Sequence, residues 1–146
     1  MPKAVLDSSI LVSAFIAPQG ELSELLREPL LSCYELVLSE EILAETAATL
    51  LIKESVRRYA TYTDAEVRSY LGWLLGHATL VSELPELAVV ADDPDDDMVV
   101  ATAIAGKADY LVSGDRHLKA LGSYQGITIL SPRQFLELLE SEAKAA

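Results

Sequence analysis

The chain predicts an α/β domain built on a parallel sheet, and three observations point there. Short apolar runs that read as strands (Ala4–Leu6, Tyr34–Leu38, Tyr110–Val112 and Ile127–Leu130) alternate with stretches whose apolar residues recur at helical spacing. The 146 residues suit one domain with a core of its own. Aspartates also follow the first and third runs, as Asp7 and Asp115. In open α/β sheets ligands sit just outside the carboxyl ends of the strands.

Composition narrows the class. With 51% hydrophobic and 23% charged residues the chain is globular rather than disordered. Its net charge of −12 opposes loose binding to nucleic acid or anionic membranes, so a polyanionic substrate needs local help from a metal or a small basic patch. Cys33 is the single cysteine, which excludes an intramolecular disulfide and suits a reducing cytoplasm. The start, MPKAVLDSS, lacks the layout of a signal peptide, and no apolar run is long enough to span a membrane.

In chain order, Ser8 and Ser9 are expected to cap a helix over Ile10, Leu11, Ala14 and Phe15 that breaks at Pro18 and Gly20. At this junction Asp7 has two readings, a helix cap or a ligand at the sheet edge. A second helix is expected from Glu21 to Glu28, ending at Pro29. Ser39, Glu40 and Glu41 open the next, whose stripe is Leu43, Ala47, Leu50 and Leu51, with Glu45 beside it. Lys53, Arg57 and Arg58, the densest basic cluster, have two readings, a solvated helix end favouring cations or a phosphate contact. Thr63 and Asp64 cap a helix carrying Val67, Leu71, Leu74 and Ala78 inward, with Tyr70, Trp73 and His77 on a neighbouring face. The last strand is followed by Ser131 and Pro132, which open a helix over Gln134 to Glu142, and residues 143–146 are expected to fray. No repeat or linker divides residues 1–146, so the chain is expected to be one domain.

The most unusual stretch is ADDPDDDMVVATAIAGKADYLVSGD, residues 91–115, which opens with five aspartates in six residues. One or two acids at a helix start complement its dipole. Five repel one another by about 2–4 kcal/mol per close pair at an effective dielectric near 20. A hard divalent cation is the usual remedy. A calcium loop does not fit, because Met98 stands where its glycine is needed and Ile104 where its closing glutamate belongs. Gly106 reads as the stop of the helix that follows the aspartates. His77 and His117 are far apart in sequence with no nucleophile motif near either, so neither a Ser-His-Asp triad nor a zinc site is expected.

Taken together, VLDSSILVSAF, LSEEILAETAATL, DPDDDMVVATAIAGKADYLVSGD and ITILSPRQFLELL resemble the PIN-domain ribonucleases. Nearly the whole chain looks like the VapC-like toxin components of bacterial and archaeal toxin–antitoxin pairs. The resemblance implies a three-layer α/β/α fold with a parallel, flavodoxin-like sheet. It also implies four catalytic acids: Asp7, Glu45, Asp96 and Asp115. Of these, Asp7, Asp96 and Asp115 would hold one or two Mg²⁺ or Mn²⁺ ions, while Glu45 would orient water or act as base. Ser9 and Ser113 match supporting hydroxyl positions, and Asp93 would lie at the rim. Asp97 stands where that group often carries asparagine, so a one-residue shift would exchange it for Asp96. Arg116 and Lys119, just past Asp115, are candidate RNA phosphate contacts. The implied chemistry is hydrolysis of an RNA phosphodiester. The implied partners are RNA, a cognate antitoxin protein and a second copy of the chain. Two other readings compete. The same fold could serve as a silent RNA- or protein-binding scaffold. A haloacid-dehalogenase-type phosphohydrolase also begins with Asp after a first strand, but it needs a second Asp where Ser9 stands.

Overall fold

The computed structural model describes residues 1–87 and 94–145. Its centre is β1 (Lys3–Leu6), flanked in parallel by β2 (Glu35–Ser39) and β4 (Tyr110–Val112). Beyond β2 lies β3 (Thr79–Val81), and beyond β4 lies β6 (Ile127–Leu130), both parallel. The two-residue β5 (Ser123–Tyr124) pairs antiparallel with β6. Gln125 and Gly126 join them with positive φ angles of 49° and 82°, the backbone that a two-residue hairpin turn needs. Neither β3 nor β5 was expected from the sequence; three and two residues are too short to show a period.

The helices are α1 (Ser8–Ile16), α2 (Glu40–Ile52), α3 (Glu54–Tyr59), α4 (Asp64–His77), α5 (Pro94–Ala105), α6 (Arg116–Leu121) and α7 (Pro132–Ala145). Ala4, Val5 and Leu6 are all fully buried, although successive strand residues point to opposite faces, so β1 is covered on both sides. The row Leu36–Ala4–Tyr110 shares one face, where the Tyr110 ring lies 6.0 Å from that of Phe135 in α7. The opposite row, Val37–Val5–Leu111, faces α5, which packs on β1, β2 and β4. Gly106, just past α5, sits so close to the sheet that a Cβ there would lie 2.5 Å from Val37 Cγ1. The left-handed residue at this helix end is Lys107, with φ 52°. Gly106 is therefore needed for close approach rather than for its turn.

The parallel α/β sheet is as expected, but its strand order is not flavodoxin-like. In a flavodoxin-like sheet the first strand has the second and third as neighbours; here β1 has β2 and β4, in the order β3-β2-β1-β4-β6-β5. The chain steps outward from β1 to β2 to β3. Helix α5 then returns across the middle of the sheet, and β4 is laid on the open side of β1.

The helix expected over Glu21 to Glu28 is replaced by two 3₁₀ turns, Leu22–Leu26 and Leu30–Cys33. Ser23 Oγ donates to the carbonyls of Pro18 and Gly20, and Arg27 reaches back to Pro18 and to Ser23 Oγ. These local bonds compete with an α-helical pattern in a segment bounded by Gly20 and Pro29. Arg57, from the basic cluster, is spent on structure. It pairs with Asp64 at 2.8 Å, donates to the carbonyls of Leu50 and Leu51, and lies over the Tyr62 ring. Helix α7 runs on to Ala145, through the residues expected to fray. Among the described residues no helix is long and apolar enough to cross a membrane.

Candidate active site

The strand order fixes where a site can form. β1 and β4 are neighbours whose connections leave toward different elements, so a crevice opens beyond their carboxyl ends. Asp7 leaves β1 there and caps α1, accepting Ser9 N–H at 3.3 Å, and it is 8% exposed. The cap is thus Asp7 itself rather than Ser8 or Ser9, and the cap and edge positions are one and the same. Asp115 stands after β4 and caps α6, accepting the N–H groups of His117 at 2.8 Å and Leu118 at 3.2 Å. Fully buried Ser113 joins the two. Its hydroxyl donates to Asp7 Oδ2 at 2.6 Å and accepts Asp115 N–H at 3.0 Å.

Two helices bring the other acids. Ser39 caps α2, accepting Ile42 N–H at 3.2 Å, and its buried hydroxyl also meets that of Thr102 in α5 at 2.9 Å. That contact locks the start of α2 to the middle of α5. Glu45 then projects from the second turn of α2, and Asp96 from the first turn of α5, into one cleft with Asp7 and Asp115. The cleft has a volume of ≈ 540 Å³ and is also lined by Ser9 and Asp95. No lysine or arginine is among the described residues that line it. Asp96 is 7% exposed.

The remaining expected residues are placed elsewhere. Asp97 lines a neighbouring cleft with Glu41, Glu86 and Leu87. Adjacent helix residues point about 100° apart, so one of Asp96 and Asp97 had to leave the shared cleft. Arg116 and Lys119 are exposed on α6 and do not line the cleft. Asp93 lies outside the described residues.

His117 does not line the cleft, but its ring approaches two of the acids. Single ligand atoms of Asp96, Asp115 and His117 all lie within 4.8 Å of one another, and His117 Nδ1 is 3.8 Å from Asp115 Oδ1. The signal was local: a residue two positions past a capping carboxylate stays close to it. Asp95 also lines the cleft, a position that its place in the aspartate run does not single out. Carboxylate oxygens dominate the donor set, which fits a hard divalent ion such as Mg²⁺ or Mn²⁺. Asp96 and Asp115, with ligand atoms within 4.8 Å of each other, would hold it, and Asp7 lines the same cleft.

Residues 3–117 match the family profile described as PIN domain. No curated protein sequence matches the chain. Among solved structures, a chain in the crystal structure of VapBC2 from Rickettsia felis, bound to a DNA fragment from their promoter, superposes with a TM-score of 0.62. Identity is 15%, with 88% of this chain and 98% of that chain covered.

Proposed function

The chain belongs to the PIN-domain family, and on that premise we propose that it is a metal-dependent endoribonuclease, the VapC-like toxin of a toxin–antitoxin pair. The observation that carries this reading is the convergence of Asp7, Glu45, Asp96 and Asp115, from four separate elements, on one cleft. When bound, Mg²⁺ or Mn²⁺ supplies positive charge toward an RNA phosphate and acidifies water for attack on phosphorus. Asp7 and Asp115 are held before any ligand arrives, one by Ser113 and the other by its helix cap, so little reorganisation accompanies binding. Glu45 enters from α2 and accepts the proton of the attacking water. Ser9 borders the substrate at the cleft wall. Arg116 and Lys119, exposed on α6 beyond Asp115, meet flanking phosphates.

Single-stranded RNA suits the cleft best, because unstacked bases expose their edges. The likeness to the VapBC2 complex supports an antitoxin partner whose cationic side chains enter the cleft and pair with its carboxylates. The same reading makes the protein a cytoplasmic homodimer. Purified protein incubated with a structured RNA and with an RNA duplex, with Mg²⁺ or Mn²⁺ and with chelator, tests the reading. Cleavage within loops that stops in chelator and in Asp7→Asn is expected. Cleavage that persists in chelator overturns the metal requirement, and RNA binding without cleavage under either ion favours a silent scaffold.

A further inference from the structure

The four acids account for a hard-ion site but leave His117 unexplained. It is the second residue of α6, its side chain is 59% exposed, and its Nδ1 lies 3.8 Å from Asp115 Oδ1. That distance is too long for a hydrogen bond. Two ligands on one ion, each about 2.1 Å from it, are separated by roughly 3–4.2 Å. One donor atom from each of His117, Asp115 and Asp96 falls within a 4.8 Å spread, so small side-chain rotations bring all three onto a common centre. Asp115 is fixed by its cap and Asp96 is buried, whereas His117 is the exposed member with freedom to turn.

Resting on the cation site proposed above, we propose that His117 adds an imidazole nitrogen to the ion held by Asp96 and Asp115, and so shifts the site's preference from Mg²⁺ toward Mn²⁺. The chemistry is general. Mg²⁺ demands oxygen donors and gives up its waters reluctantly, while imidazole suits transition ions and each nitrogen ligand widens that gap. The alternative for an exposed histidine at a helix start is a solvated side chain that touches no ion.

Calorimetric titration of Mg²⁺ and of Mn²⁺ into the full-length protein and into His117→Ala, at one fixed pH and without RNA, separates the two. The proposal expects His117→Ala to weaken Mn²⁺ binding by roughly tenfold while Mg²⁺ binding changes by less than about threefold. Spin-echo spectra of the Mn²⁺-loaded protein should also show nitrogen coupling that disappears in the variant. Equal losses for both ions, or unchanged binding with no nitrogen coupling, overturn the role of His117 and leave the carboxylate site standing. Failure of the wild-type protein to bind either ion overturns the site itself and the proposal with it. Because His117 is exposed and only its backbone N–H serves the α6 cap, the variant should melt with the wild type in chelator.

Discussion

The hydroxyl of Ser113 donates to Asp7 across 2.6 Å, tying the residue after β4 to the residue after β1, 106 positions away in sequence. The same oxygen accepts the N–H of Asp115. One buried side chain therefore sets the spacing of two acids that arrive on different strands. Ser113→Ala should lower the stability of the metal-free protein by about 1–2 kcal/mol, since the mostly buried Asp7 carboxylate loses its short donor. Denaturant melts in chelator measure it. A change of only a few tenths of a kcal/mol would mean that water replaces the hydroxyl and that Ser113 does not organise the site.

Asp96→Asn distinguishes a ligand from an acid that only complements the start of α5. In that second role, losing the charge lowers stability by about 0.3–1 kcal/mol. In a cleft shared with Asp7, Glu45 and Asp115, removing one charge should instead raise the stability of the metal-free protein by roughly 1–2 kcal/mol, while shrinking the stabilisation that Mg²⁺ confers. Asp97→Asn, in the neighbouring cleft, should leave the metal-induced shift intact. Thermal melts of the three proteins with chelator and with Mg²⁺ decide the matter. A metal shift lost in Asp97→Asn and kept in Asp96→Asn would move the register by one residue.

Gly106→Ala carries a sign that helix propensity alone gets wrong. At an ordinary helix end, replacing glycine stabilises by about 0.4–1 kcal/mol when the backbone allows it. Here the new Cβ would stand 2.5 Å from Val37 Cγ1, and overpacking of that kind costs about 1–3 kcal/mol. Destabilisation is expected, with partial relief in the double variant Gly106→Ala, Val37→Ala relative to the sum of the single changes. Strict additivity would show that the two side chains do not meet.

Alkaline unfolding should report on Tyr34. Burial pushes its phenol well above the ordinary value of 10.0, and its hydroxyl donates to Leu25 O at 2.6 Å. The folded state thus holds this proton more tightly than the unfolded chain. Its stabilising contribution is complete below about pH 10 and is lost as pH rises toward the folded value. Tyr70, raised for the same reason, acts in the same direction. Stability measured against pH should therefore fall above pH 10, less steeply in Tyr34→Phe. An identical slope in the variant would assign the fall to other groups.

The sequence by itself determined the class of the fold and where most of its acids would lie. β1 announces itself as Ala4-Val5-Leu6, Asp7 follows it, and the run from Met98 to Ala105 is helical, because these signals are local; the helix in fact begins earlier, at Pro94. Ser39, Thr63 and Pro132 mark helix starts for the same reason. Tertiary structure alone decided which strands are neighbours. Every parallel order satisfies the same local periodicity, and only the packing of α5 across β1, β2 and β4 selects this one. It also decided between Asp96 and Asp97, since adjacent helix residues diverge by about 100° and the contact of Ser39 with Thr102 sets which of them turns toward Glu45. His117 comes within 4.8 Å of the Asp96 carboxylate through the same packing, which sets α5 against β4.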